Sequence, residues 1–209
     1  MKITRKPSFE EELKLWSLKI PYVIGVDEVG RGAFAGPIVA AGVIFAPSVN
    51  IKLLVDVNDS KQVKPLLRQK LSKIIKDYAL YWTIQQIDTG FIDKYGVGRA
   101  NSAVFRKVIK SLIQQIDGEY FVLVDGFHKK HLPGGLSKQK GIIKGDQKSL
   151  SIAAASILAK VYRDNMMQEL HKSYPDYGFA KNYGYGTRFH RQAIKNAGVT
   201  DVHRMSFIH

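Results

Sequence analysis

The order of the periodicities constrains this chain most. Two short runs rich in β-branched and apolar residues, Tyr22 to Val29 and Pro37 to Phe45, flank a glycine-dense segment, and beyond them helical and strand patterns alternate. Neighbouring runs joined by a sharp turn read as paired strands, and the later alternation reads as strand–helix units. The expected architecture is α/β, a mixed central sheet flanked by helices. Helical spacing marks Lys64 to Tyr78, with Pro65 near its start and Leu67, Leu71, Ile74, Ile75 and Tyr78 on one side. A third strand follows over Leu80 to Ile87, then a helix from Val97 to Gln115 with Ala100, Val104, Val108 and Leu112 in one stripe. A fourth strand, Tyr120 to Val124, ends at Asp125-Gly126. A short strand near Ile142-Ile143 precedes a long helix from Lys148 to His171, whose Ala153-Ala154-Ala155 suit close packing. At the start, Ser8 and Glu11 have capping-box spacing, with Leu13, Trp16 and Leu18 as the apolar side of the helix behind them. At the end, Tyr174 to Thr187 is irregular, and Thr187 caps a last helix to Asn196.

Charge narrows the partners without naming a function. Thirty-two Lys and Arg against eighteen Asp and Glu give a formal charge of +14, which attracts polyanions and makes nucleic acid the leading partner. The absence of cysteine excludes disulfide frameworks, thiolate metal sites and cysteine nucleophiles, so any metal must use oxygen or imidazole ligands. Met1 to Pro7 is basic, but Glu10, Glu11 and Glu12 stand where an export signal needs an apolar core. No apolar run reaches the roughly 20 residues that span a bilayer, and the expectation is a cytoplasmic protein with no membrane partner.

Four carboxylates sit where chemistry is plausible. Asp27-Glu28 lies between Val23-Ile24-Gly25-Val26 and Val29. Side chains alternate across a strand, so one of the pair faces inward, where an unpaired carboxylate costs several kcal/mol unless a cation offsets it. An ordinary Glu28–Arg31 ion pair is the plain alternative. Gly30-Arg31-Gly32 follows at once and allows backbone amides to approach a ligand. A dinucleotide site is excluded, because Gly36 is one residue too far for the fingerprint and a strand follows instead of a helix. Asp125 before Gly126 fits a turn as well as a site, and Asp164, four after Lys160, fits a solvated ion pair as well as a ligand. Four oxygen ligands together suit Mg²⁺ or Mn²⁺. Lys148, Ser149 and Ser151 open the long helix, where free amides favour phosphate, while Asp146 has the position of a plain helix cap. Asn58-Asp59-Ser60-Lys61 reads as a polar loop. Tyr177, Phe179, Tyr183 and Tyr185 could stack on sugars or bases or simply pack. None of the six histidines has metal-motif spacing.

The block Gly25-Val26-Asp27-Glu28-Val29-Gly30-Arg31-Gly32 resembles the opening signature of the type 2 ribonuclease H family, ribonuclease HII. Further blocks agree in order: Gly36-Pro37-Ile38-Val39-Ala40-Ala41, Asn58-Asp59-Ser60-Lys61, Val124-Asp125-Gly126, Lys144-Gly145-Asp146 with Lys148-Ser149, Ile152 to Val161 with Arg163-Asp164, and Gly184-Tyr185-Gly186-Thr187 with His190. The resemblance implies a ribonuclease H-like fold with a small C-terminal helical appendage, divided as an N-terminal helical segment 1–20, a catalytic domain 21–172 and a substrate-contacting segment 173–209. It implies an endonuclease, acting as a monomer, that cuts RNA in RNA–DNA hybrids and ribonucleotides embedded in DNA. By it, Asp27, Glu28, Asp125 and Asp164 hold two Mg²⁺ or Mn²⁺ ions, and Gly30, Arg31, Gly32 and Tyr185 read the ribonucleotide. Lys61, Lys148 and Ser149 are further substrate contacts. Three positions depart from the pattern: Tyr183 and Gln62 stand where lysines are expected, and Met205 where an arginine is.

Overall fold

The computed structural model describes residues 6–208; the basic stretch Met1 to Arg5 and the last residue lie outside them, as does that part of the expected N-terminal segment. The chain runs α1 (Glu10–Ser17), β1 (Tyr22–Val29), β2 (Ile38–Ile44), α2 (Pro65–Tyr78), β3 (Tyr81–Ile87), α3 (Thr89–Tyr95), α4 (Val97–Ile113), β4 (Tyr120–Asp125), β5 (Gln139–Ile142), α5 (Leu150–Ser173), α6 (Phe179–Asn182) and α7 (Arg188–Ala197). The five strands form one mixed sheet in the order β3-β2-β1-β4-β5. β1 pairs antiparallel with β2 and β2 with β3, whereas β4 and β5 run parallel to β1. The expected mixed sheet flanked by helices is what the chain forms.

Alternation along the strands assigns the two faces. Val39, Ala41 and Val43 of β2 turn to one side and pack with Leu71 and Ile75 of α2 and the small residues Ala153 to Ala155 of α5. Ile38, Ala40 and Ile44 turn to the other side, with Ile24 and Val26 of β1, against Val104, Val108 and Leu112 of α4. Two glycines let the helices close on the sheet. A Cβ at Gly25 would lie 2.3 Å from the Ser151 carbonyl carbon, and one at Gly42 would lie 2.5 Å from Val108 Cγ1. Both faces of the central strands β1 and β2 are therefore covered by packed helices.

The N-terminal helix binds differently from its apolar pattern. Leu13 and Leu18 are exposed, and Glu12 is buried. The Ser8–Glu11 capping box does not form, because Ser8 is held in a parallel bridge to Ser149, with Ser8 N–H donating to the Lys148 carbonyl and Leu150 N–H to that of Ser8. Helix α3 has no apolar periodicity to mark it in the sequence, although Asp88 caps it by accepting from Phe91 N–H at 2.7 Å. The segment after α5 packs Tyr177, Phe179 and Ala193 against Ala35 and Met167.

Candidate metal and nucleic-acid site

The parallel register of β1 and β4 builds the site. Val26 pairs with Val124, so Asp27 and Asp125 leave the sheet side by side at the C-terminal ends of two central strands. Beyond β5 the chain turns through Lys144, which adopts a left-handed conformation, into a single 3-10 turn over Gly145–Gln147. Gly145 N–H donates to Asp125 Oδ1 at 2.7 Å, and the next residue, Asp146, is buried beside them. Asp27, Glu28, Asp125 and Asp146 line one cleft of about 280 Å³ together with Ser60, Lys61, Ser156, Lys160 and Tyr185.

These acids strain one another electrostatically. Burial pushes the Asp27 carboxyl well above its ordinary range, and the charges of Asp125, Glu28 and Asp146 push it further, against one bond from Glu28 N–H at 2.7 Å. Burial also raises Glu28, with Lys129 opposing and Asp125 adding to the shift. Asp146 is pushed up to about 7 by burial and by the neighbouring Asp59 and Asp125. Burial opposes ionisation of Asp59 too, but donors from Lys61 N–H, Gln62 and Gln147 outweigh it and hold that carboxyl low. Among the described residues none of Asp27, Glu28, Asp125 and Asp146 is in a salt bridge. Clustered carboxylates, two buried and two half-buried and none in a salt bridge, are a donor set that fits a hard divalent cation. No three such groups among the described residues already converge as a ligand set.

The expected residues divide sharply. Asp27, Glu28, Asp125, Lys61 and Tyr185 meet in the cleft. Asp164 does not. Its oxygens accept from Lys160 Nζ at 2.7 Å and Arg68 Nη1 at 3.1 Å, a largely buried clamp between α2 and α5. Asp146, which has the position of a helix cap and belongs to one of the matching blocks, lines the cleft with the other three. Lys148 and Ser149 also lie elsewhere. Ser149 is fully buried as the cap of α5, where it accepts from Ile152 N–H and donates to Glu12 Oε1 at 2.6 Å. Ser151 N–H and Oγ donate to the same oxygen at 3.0 and 2.6 Å. The helix terminus expected to attract phosphate already holds an internal carboxylate, which takes the Ser151 amide and the positive end of the dipole.

The glycine loop sits over two buried arginines, Arg163 and Arg204, to which the sequence pattern assigned no role. Arg163 donates to the carbonyls of Pro37, Tyr183 and Ala35 at 3.1, 2.8 and 2.9 Å, and Arg204 donates to those of Gly36 and Arg31. Gly30 has φ +89°, and a Cβ there would lie 2.2 Å from Arg163 Nε, whereas Gly32 faces open space. Gly30 is thus required by close approach to Arg163, and Gly32 is the position free for a ligand. Tyr185 bridges to Ala33 across this loop and is about one-third exposed. The departures are accommodated: Tyr183 lies with its ring 4.7 Å from Lys160 Nζ, Gln62 donates to Asp59 at 3.2 Å, and Met205 is exposed with its N–H on Asp93.

Comparison with known proteins bears on the same region. The family model described as Ribonuclease HII matches residues 24–209. A Ribonuclease HII of Clostridium perfringens is 49% identical over 187 residues, covering 90% of this chain and 66% of that protein. One from Clostridium acetobutylicum is 47% identical over 188 residues, covering 89% and 72%. This chain therefore spans just under two thirds of the length of the first of these. Among solved structures, ribonuclease H2 from Pyrococcus horikoshii OT3 superposes with a TM-score of 0.71 at 26% identity, covering 88% of this chain and 93% of that one. Bst-RNase HIII in complex with Mn²⁺ gives 0.69 at 18% identity, covering 90% and 67%, a likeness of fold. The match runs through both strands, the turn and the helices that carry the cleft, and the chain belongs to the ribonuclease HII family.

Proposed function

We propose that the chain is a divalent-metal-dependent endonuclease that hydrolyses RNA in RNA–DNA hybrids and cuts on the 5′ side of ribonucleotides embedded in DNA, leaving 3′-hydroxyl and 5′-phosphate ends. The observation that carries this is the gathering of Asp27, Glu28, Asp125 and Asp146 in one cleft, none of them in a salt bridge among the described residues, beside the Gly30-Arg31-Gly32 loop and Tyr185. Asp146, rather than Asp164, is the fourth metal-holding carboxylate in this reading. Bound Mg²⁺ or Mn²⁺, in a pair, would activate water and stabilise the leaving oxygen; the fold neighbour crystallised with Mn²⁺ supports that choice.

The chain's own groups do the selecting. The 2′-hydroxyl that distinguishes RNA from DNA is both donor and acceptor, and Gly32 leaves backbone free to meet it where no side chain intervenes. Tyr185 lines the same cleft, as do Lys61 and Lys160. No described helix is long and apolar enough to cross a membrane, and we place the enzyme in the cytoplasm, acting as a monomer on nucleic acid. The test is Asp125→Asn, which keeps the shape and removes one charge. Cleavage should fall by orders of magnitude while hybrid binding survives. Near-normal turnover would refute the site.

A further inference from the structure

Three residues past Asp125 the chain enters a second concavity, a groove of about 820 Å³ between α4 and the loop that follows β4. Arg99 and Arg106 line it from α4, and His128, Lys129, Lys130 and His131 from the loop; no Asp or Glu lines it. Among the described residues none of its two arginines and two lysines is in an ion pair, and Arg106 Nε is buried without a hydrogen-bond partner. The acid next to this wall, Asp93, is engaged by the C-terminal tail: Met205 N–H, Ser206 N–H and Ser206 Oγ donate to it at 3.0, 3.0 and 2.6 Å. Phe91 and Tyr95, with ring centroids 4.6 Å apart, give the groove an apolar side.

Uncompensated cations on two elements facing one space repel one another, and a polyanion laid between them removes that cost while releasing its own counterions. Lys129 ties the groove to the carboxylate cleft, since it lines the one and its charge acts on Glu28 in the other. We infer that this groove binds the sugar–phosphate backbone of the substrate duplex beyond the reacting nucleotide. This rests on the hydrolytic reading above and extends it: the cleft would handle the cut, and the α4 groove would hold the flanking duplex.

The test measures binding of RNA–DNA hybrid in chelator, where no cleavage occurs, as a function of salt. Arg99→Gln with Lys130→Gln should lower the magnitude of the log–log salt slope by about 2, since each phosphate contact contributes about 0.9. It should weaken a hybrid of about two helical turns at least tenfold at moderate salt, and one of about 6 bp much less. The control is Lys70→Gln with Lys73→Gln on α2, which covers the opposite face of the sheet and removes the same charge; it should leave the slope unchanged. Melting temperatures of both doubles should match the parent. An unchanged slope in the groove variant, equal losses in both doubles, or equal losses on long and short hybrids would overturn the proposal. If the groove variant shows the expected slope change but the parent cuts no hybrid in Mg²⁺ or Mn²⁺, the groove stands and the hydrolytic reading fails. If the parent cuts hybrid but the groove variant keeps the parent's slope, the hydrolytic reading stands and the groove fails.

Discussion

The backbone N–H of Gly145 donates to Asp125 Oδ1 at 2.7 Å, so the turn that carries Asp146 is fastened to the end of the strand that carries Asp125. A Cβ at Gly145 would lie 2.7 Å from Ile152 Cδ1, so the turn packs closely against α5. Two acids far apart in sequence are thereby placed in one cleft by a single peptide group.

Asp146 and Asp164 should part company on substitution. Asp146→Asn should weaken Mn²⁺ binding in calorimetry and reduce cleavage by orders of magnitude with little loss of stability. Asp164→Asn should leave Mn²⁺ affinity within a few-fold and instead destabilise the fold by about 3 kcal/mol, because Arg68 and Lys160 lose their buried counter-charge. Weakened metal binding in Asp164→Asn with an intact melting curve would return Asp164 to the metal site.

The metal-free protein should lose stability as pH rises from about 4 to about 7. Asp146 is pushed up to about 7 in the fold but titrates near 3.9 when unfolded, so over that window the native state binds the extra proton and stability falls with rising pH. Asp27, also raised, adds in the same direction. Asp146→Asn should flatten the fall and exceed the parent in melting temperature at pH 8 without metal, with the advantage shrinking toward pH 4. Saturating Mn²⁺ should remove it. A metal-free melting temperature that tracks the parent across the whole range would show that Asp146 is not held against its charge.

Much of this was legible in the sequence, and the failures share a cause. Period-2 and period-3.6 patterns place β1 to β4 and α2, α4 and α5 because apolar burial on one or both faces leaves a local signature. The carboxylates Asp27, Glu28 and Asp125 are legible because strand ends place them. For Asp164 the local pattern already offered the ion pair with Lys160 that the fold makes, and only the resemblance placed it at the metal; its second partner, Arg68, is 96 residues away, and Asp146 reaches the cleft through a bond from its neighbour Gly145 to Asp125, 20 residues away. Glu12 is the same case: nothing local marks a buried carboxylate on an acidic helix, and only the three donors from Ser149 and Ser151 make it tolerable. The arginines beneath the glycine loop donate only to backbone carbonyls, which carry no side-chain pattern.

Glu12→Ala should cost about 3 kcal/mol in denaturant unfolding, since it leaves three buried donors without an acceptor. Glu12→Gln keeps the acceptor and should cost far less. Burial raises the Glu12 carboxyl above its ordinary range, so its contribution is fullest at acid pH and declines as pH rises through the raised value; Gln should therefore compare best with the parent at pH 8. Equal stability of the Ala and Gln variants would remove Glu12 as the anchor of α1.

Tyr185→Phe should keep the ring in the cleft and lose one hydrogen bond to substrate, a defect of about 0.5 to 1.5 kcal/mol in kcat/KM. Tyr185→Ala should be worse on a lone ribonucleotide in DNA than on a continuous hybrid, where neighbouring riboses substitute. Equal losses on both substrates, with a lowered melting temperature, would reduce Tyr185 to loop packing.

The most direct measurement maps the products from an end-labelled duplex holding one ribonucleotide, beside a matched all-DNA duplex and a continuous hybrid, with Mg²⁺, with Mn²⁺ and with chelator. The account predicts cutting of the two ribonucleotide-containing substrates only, on the 5′ side of the single ribonucleotide, with 3′-hydroxyl and 5′-phosphate ends, and none in chelator. Cutting that persists in chelator, or that proceeds equally on all-DNA duplex, would contradict it.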